Sequence, residues 1–140
     1  MRTNSTLSKK IFIILFLGLI LFFSCSDDRL EPKELIGKWN WLSSSGGIAG
    51  TIYTPENTGD NILIEFTSDS IFKRYLNDSL IMESTFSIQI SKSIYDHDST
   101  QMLVFEDAYM LQSFELQSPD ELVLFDEVYD GFINHYKRIH

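Results

Sequence analysis

An apolar period of two, which runs through the sequence from Leu35 onward, most constrains the fold. Between Leu80 and Ile90 the even positions are mostly apolar, while the odd positions, apart from Ile81, are mostly polar. The shorter runs Ile62–Phe66 and Met110–Leu116 place apolar residues on one face in the same way. Because successive side chains of a strand point to opposite faces, this period predicts half-buried β-strands. No window predicts a helix of ten or more residues.

Turn residues separate the alternating runs at short intervals, as at Ser118-Pro119-Asp120 and Asp130-Gly131. The expected strands, about eight, are 36–44, 49–54, 61–67, 70–76, 79–91, 101–106, 109–117 with 121–126, and 132–139. Short connections favour antiparallel neighbours, and closing such a meander into a barrel removes its exposed edges. The predicted fold class is all-β, an antiparallel up-and-down β-barrel of about eight strands in a single domain over residues 35–140.

The N-terminus has the layout of a secretory signal peptide over residues 1–24. Arg2, Lys9 and Lys10 form a basic segment, which precedes the apolar run Ile11–Phe23. That run has 13 residues, whereas a helix needs roughly 20 to cross the hydrocarbon core of a bilayer. Cys25, the only cysteine, follows at once, so the chain has no internal disulfide and no thiolate zinc site.

The stretch LFFSC resembles the lipobox of bacterial lipoproteins, although two phenylalanines stand where leucine and a small residue are usual. The resemblance implies that Cys25 is lipidated and anchors the protein in the cell envelope, at the outer membrane. The polar segment 25–34 then reads as a flexible tether. An uncleaved membrane helix, or an ordinary signal peptide with an incidental cysteine, is the alternative.

The negative net charge argues against two classes of partner, nucleic acids and anionic lipid surfaces. The chain carries a formal charge of −9 with a pI near 4.6, which is opposite to what a nucleic-acid binder needs. After residue 25, eight basic residues stand against 20 acidic ones, so the mature part has a net charge of −12. Such a charge repels anionic lipids. The membrane is therefore expected to be a partner through the lipid anchor alone.

The first predicted strand begins with Gly37-Lys38-Trp39, and the last contains Arg138. Here the sequence resembles the lipocalin and lipocalin-like families, in which a G-x-W motif begins the first strand of the barrel. The resemblance implies that Gly37, Trp39 and Arg138 close the barrel, with Trp39 buried and the arginine packed across its ring. A T-D-Y motif and a cysteine pair are missing, and the overall pattern is closer to small bacterial lipocalin-like lipoproteins.

No constellation of residues predicts catalysis. The glycine-rich segment 44–50 lacks the lysine and the helix of a phosphate-binding loop, so it reads as a loop at the barrel rim. Asp96-His97-Asp98 lacks the spacing of a metal site and reads as a solvated acidic loop. Acid pairs such as Asp126-Glu127 point to opposite faces of a strand, and no G-x-S-x-G motif is present. We therefore expect no enzyme activity, no metal ligand and no cofactor.

Two functions remain open. The shared faces of Trp39 with Trp41 and of Phe132 with Tyr136 would give an aromatic cavity for a small hydrophobic or amphipathic ligand. Alternatively, so short a chain fills its barrel with its own side chains and acts as an envelope interaction protein, whose protein partner the sequence does not identify. In the first case the cavity should open near residues 43–50, opposite the end that Trp39 closes.

Overall fold

The computed structural model describes residues 32–95, 97–106 and 110–140. The predicted signal peptide, Cys25 and most of the predicted tether lie outside these residues. The elements are α1 (Pro32–Leu35), β1 (Gly37–Gly46), β2 (Thr51–Tyr53), α2 (Pro55–Thr58), β3 (Ile62–Phe66), β4 (Ile71–Leu76), β5 (Ser79–Lys92), β6 (Ser99–Phe105), β7 (Leu111–Ser118), β8 (Glu121–Asp126) and β9 (Phe132–Ile139). The last three residues of the predicted tether thus belong to a helical turn.

Eight antiparallel strands, β1 and β3 to β9, form a closed barrel. Each pairs with the next along the chain, and β9 returns to β1 over a register that runs from Lys38↔Ile139 to Gly46↔Phe132. Closure gives β1 and β9, the first and last strands, neighbours on both sides and so removes the two edges of an open sheet. The predicted all-β, antiparallel up-and-down barrel is therefore confirmed.

The predicted strand 49–54 is not one of the eight barrel strands. The run 49–54 contains only the three-residue β2, which pairs with the second half of β1, whereas β3 pairs with the first half. β2 is exposed along its whole length and forms a side hairpin at one end of the barrel. β7 and β8, expected within one grouped segment, are separate barrel strands joined by a tight turn at Pro119-Asp120.

The predicted alternation of β5 holds in the middle of the strand, where Ser84 and Phe86 are buried. Leu80 is half exposed because a bulge pairs it with Tyr75, on the outer face of β4. Ile90, on the same face as Phe86, is also half exposed. The reason is that β5 pairs with β4 only through its first half and with β6 only through its second half. Each end of this 14-residue strand therefore lacks a neighbour on one side.

A single apolar cluster fills one half of the barrel interior. Four phenylalanines of the cluster stack on one another with ring centroids 4.7–5.2 Å apart. They are Phe66, Phe72, Phe86 and Phe105. Leu35 of α1 is fully buried in the same cluster, so the helical turn covers that end of the barrel. We call it the capped end.

Candidate functional site

At the capped end, Trp39 of β1 is fully buried. Its indole Nε1–H donates a hydrogen bond of 2.8 Å to the carbonyl oxygen of Leu35, the last residue of α1. Because a buried indole N–H without a partner is costly, this bond also fixes where the helical turn lies. The tryptophan therefore ties the segment before the barrel to its first strand.

The guanidinium group of Arg138, on β9, lies over the Trp39 ring, with its carbon 4.0 Å from the ring centroid. Its nitrogens donate to three backbone carbonyls: Nη1 to Ile36 at 2.7 Å, Nη2 to Glu34 at 2.6 Å and Nε to Pro119 at 2.8 Å. A planar fork of donors suits this arrangement, which joins α1, β9 and the β7–β8 turn. The expected contact of Arg138 with buried Trp39 is thus present.

Gly37 leaves room for this arginine. Its φ is +132°, a conformation that residues with a Cβ rarely adopt, and a Cβ at this position would lie 2.9 Å from Nη1 of Arg138. Gly37, Trp39 and Arg138 therefore act together as a structural cap. The adjoining surface depression, about 460 Å³ in volume, is lined by Arg138 and His140, and carbonyls already accept from each of the three guanidinium nitrogens.

A cavity of about 430 Å³ lies at the opposite end of the barrel, which we call the cavity end. Aromatic rings form much of its wall, and polar side chains from six different strands or loops converge on it. The lining residues are Trp41, Ser44, Tyr53, Thr58, Asp60, Ile62, Arg74, Met110, Gln112, Asp126, Phe132, Asn134 and Tyr136. Seven of the 13 lining residues are polar, so the wall is more polar than that of a typical small-molecule site, although its aromatic rings still offer an apolar surface.

A chain of hydrogen bonds runs along one wall of the cavity. The indole N–H of Trp41 donates to Ser44 Oγ at 2.8 Å, and the Ser44 hydroxyl donates in turn to the side-chain oxygen of Asn134. Asn134 Nδ2 then donates to Asp126 Oδ1 at 3.3 Å. This wall therefore holds its polar groups in fixed positions before any ligand arrives.

The carboxylate of Asp126 accepts three hydrogen bonds. Besides the bond from Asn134, its carboxylate accepts one from Gln112 Nε2 at 2.7 Å and one from the backbone N–H of Phe132 at 3.2 Å. Hydrogen bonds to an ionised carboxylate are stronger than those between neutral groups. The negative charge of Asp126 is thus stabilised by the protein itself.

Arg74 of β4 faces the cavity from the other side. Its Nε is buried and has no hydrogen-bond partner, and among the described residues no carboxylate forms an ion pair with it. Nearby, burial raises the pKa of Tyr136 to about 12; the positive charge of Arg74 opposes this rise, and the negative charge of Asp126 adds to it. The three groups share one low-dielectric environment.

Sequence patterns did not single out Arg74, yet one signal was present. In the strand IFKRYL the even positions hold Phe72, Arg74 and Leu76, so the arginine interrupts an otherwise apolar face. The structure places that face inward, since Arg74 pairs with the buried Ile64 of β3. An interruption of this kind was a sign that a charge enters the barrel.

Comparisons of the chain with family models, curated proteins and solved structures found no match. Within the described ranges, no three histidine, cysteine or acidic side chains are grouped as a metal site would require. Asp96 and Asp107–Tyr109 lie outside those ranges. No helix in the described part of the chain is long and apolar enough to cross a bilayer.

Proposed function

We propose that the protein is a non-catalytic, lipid-anchored barrel of lipocalin-like type that binds a small amphipathic molecule at its cavity end. The observation that carries this proposal is the cavity of about 430 Å³, which opens above a close-packed aromatic core. Pockets of roughly 300–1,000 Å³ hold small organic ligands in other proteins. The mixed wall favours a molecule with both apolar and polar parts.

The sequence left open whether the barrel interior holds a ligand cavity or is filled with side chains, and the proposal uses one description for each half of the barrel. The half of the barrel beside Trp39 is filled with side chains, which limits the ligand to the other half. A long chain that threads the whole barrel would have to displace Phe66 and Phe72, whose rings are 5.2 Å apart. The expected ligand is therefore short.

The loop between β1 and β2 supports an entrance at the cavity end. Ser44 and Tyr53, one on each strand of this hairpin, line the cavity, and the Tyr53 ring lies 5.9 Å from that of Phe132. Gly47 and Gly50 have positive φ, and Ile48 between them is 92% exposed. A loop with these glycines can change conformation at low cost, as a lid requires.

Anchoring is proposed from the sequence alone, through lipidation of Cys25. Several acyl chains on one residue would suffice for stable attachment to a membrane. The intact mass of the protein purified from membranes should show the mass of an acylated N-terminal cysteine, and Cys25→Ser should abolish it. An unmodified Cys25 in the membrane fraction would contradict the anchor while leaving the cavity proposal untouched.

A neutral fluorescent probe, N-phenyl-1-naphthylamine, tests ligand binding by the full chain. Thr58 lines the mouth of the cavity, so Thr58→Trp should block it and weaken probe binding at least tenfold. Glu56→Trp is the matched control, because Glu56 is exposed on the same helix and does not line the cavity. If the folded protein binds no probe, the interaction-protein alternative replaces this proposal.

A further inference from the structure

We propose that Arg74 binds the carboxylate of an amphipathic, singly charged ligand, whose apolar part packs on the aromatic wall of the cavity. This inference rests on the proposed function and adds the chemical class of the head group. It starts from the one inward-facing cation that lines the cavity among the described residues.

The sheet register fixes the direction of the Arg74 side chain. Arg74 pairs with Ile64 on β3 and with Met82 on β5, and both of these residues belong to or pack against the apolar core. Lys73, the preceding residue, has the opposite orientation and forms an ion pair of 3.4 Å with Glu83 on the outside. The strand therefore pairs its outward cation with a carboxylate, whereas no carboxylate in the described part of the chain forms an ion pair with its inward one.

A buried guanidinium nitrogen without an acceptor is costly. Leaving such a donor unsatisfied destabilises the folded protein, and more so when the group is charged. Arg138, the other arginine on an inward face, shows how this chain satisfies a guanidinium, since three backbone carbonyls accept from it. No such acceptors reach Nε of Arg74, and because Arg74 lines the cavity, a ligand carboxylate bound there would face its guanidinium group.

The acids in the cavity narrow the choice of head group. Asp126 already accepts three hydrogen bonds, and Asp60 accepts one of 3.5 Å from Asn77. Neither forms an ion pair with Arg74, but both place negative charge in the same cavity. A second negative charge on the ligand would be repelled, which favours a monoanionic carboxylate over a phosphate ester. A carboxylate also matches the planar fork of a guanidinium.

The remaining wall suits an apolar tail. Trp41, Phe132 and Tyr136 present rings around the same volume, and Ile62 adds an aliphatic surface. The Tyr136 side chain is buried and its raised pKa keeps the phenol neutral at physiological pH. A short acyl chain could therefore lie on these rings without meeting a second charge.

The test compares four head groups on one eight-carbon chain: octanoate, 1-octanol, octylamine and octyl phosphate. Each displaces N-phenyl-1-naphthylamine from the full chain in buffer near pH 7.5. We expect octanoate to bind at least tenfold more tightly than octanol and more tightly than octyl phosphate. Arg74→Met should remove the advantage of octanoate over octanol, while Lys73→Met, the outward-facing control, should leave it unchanged.

Three results would overturn the inference: equal binding of octanoate and octanol by the wild-type protein, tighter binding of octylamine, or an unchanged preference in folded Arg74→Met. Probe binding without any head-group preference would still leave the proposed function standing. If Arg74→Met fails to fold, Arg74→Lys retains the charge but loses the planar fork, and it should reduce the preference. The wild-type head-group series decides the matter independently of any variant.

Discussion

Arg74 and Arg138 both lie on inward faces of the barrel, but their guanidinium groups differ in hydrogen bonding. The Arg138 guanidinium stacks on Trp39 and donates to three carbonyls, so its role is structural. The buried Nε of Arg74 has no acceptor, and the Arg74 side chain lines the cavity. Hydrogen-bond satisfaction, rather than residue type, separates the structural cation from the one that we propose as a ligand-binding group.

Arg138→Lys tests the cap at the scale of one residue. A lysine keeps the positive charge but cannot reach carbonyls of Glu34, Ile36 and Pro119 together. We expect the free energy of unfolding to fall by about 1–3 kcal/mol in urea denaturation followed by tryptophan fluorescence. Lys137→Ala, at the exposed neighbouring position, should change it by less than about 0.5 kcal/mol. Equal effects of the two variants would contradict the cap.

Ionisation of Tyr136 should lower the stability of the barrel at alkaline pH. An ordinary tyrosine pKa is near 10, while burial raises the pKa of Tyr136 to about 12. Between these values the unfolded chain loses the phenolic proton and the folded chain keeps it, so stability falls as pH rises from about 10 to 12. The expected loss is roughly 3 kcal/mol, and Tyr136→Phe should lack this component in denaturation curves measured at several pH values. An identical pH dependence of the two proteins would show that Tyr136 ionises normally.

The contact between Trp39 and Arg138 was predictable from sequence because a motif marks both residues. Arg74 is marked only by its place on the otherwise apolar face of IFKRYL, which is a weak signal because a basic residue in a strand ordinarily faces solvent; the register with Ile64 shows its direction. Ser44 is a similar case. A bulge between Trp41 and Ser43 shifts the register of β1 against β9, so that Ser44 rather than Ser43 enters the cavity. Strict alternation does not anticipate such a shift.

At the scale of elements, hydrophobic alternation located the strands but not all of their partners. The change of partner along β1, from β3 to β2, depends on where the chain turns after Gly46 and on the short helix α2. Both depend on contacts between distant parts of the chain, which hydrophobic alternation within one strand does not show. The divided pairing of β5 has the same origin, and it explains why Ile90 is exposed despite its apolar character. Leu80 is exposed because a bulge in β5 pairs it with Tyr75 on the outer face.

Gly37→Ala tests the start of β1. Both the positive φ and the 2.9 Å approach to Arg138 Nη1 oppose a Cβ there. Gly59→Ala is a matched control, since Gly59 also has positive φ, +76°, but a methyl group at that position would have nothing within 4 Å. We expect a loss of about 1 kcal/mol at Gly59 and at least twice that at Gly37 in thermal unfolding experiments. A smaller loss at Gly37 would mean that Arg138 can move away freely.

At the scale of the whole molecule, the barrel divides into two functional halves. The capped end contains the buried tryptophan and the phenylalanine cluster, which supply apolar burial for a domain of this size. The cavity end contains most of the inward polar groups. Keeping the two apart lets the core hold the strands in place while the cavity tolerates an unsatisfied arginine.

Closure of the barrel can be tested through the backbone of β9. Arg138 N–H donates to Asp120 of the β7–β8 turn at 2.9 Å, and successive N–H groups of a strand point to opposite sides. The N–H of Lys137 therefore points toward β1, where Lys137 pairs with Asn40. In an open sheet this would be a free edge, and a proline would be tolerated there.

In the closed barrel, Lys137→Pro removes a ladder hydrogen bond, and we expect it to lower the free energy of unfolding by about 3 kcal/mol or more. Lys137→Ala controls for loss of the exposed side chain and should be nearly neutral. Thermal unfolding of the full chain, followed by circular dichroism, measures both. Proline removes the bond to β1 and also restricts the backbone of β9, so both effects oppose folding in the closed barrel. Equal stability of the two variants would mean that β9 is an edge strand and that the barrel is open.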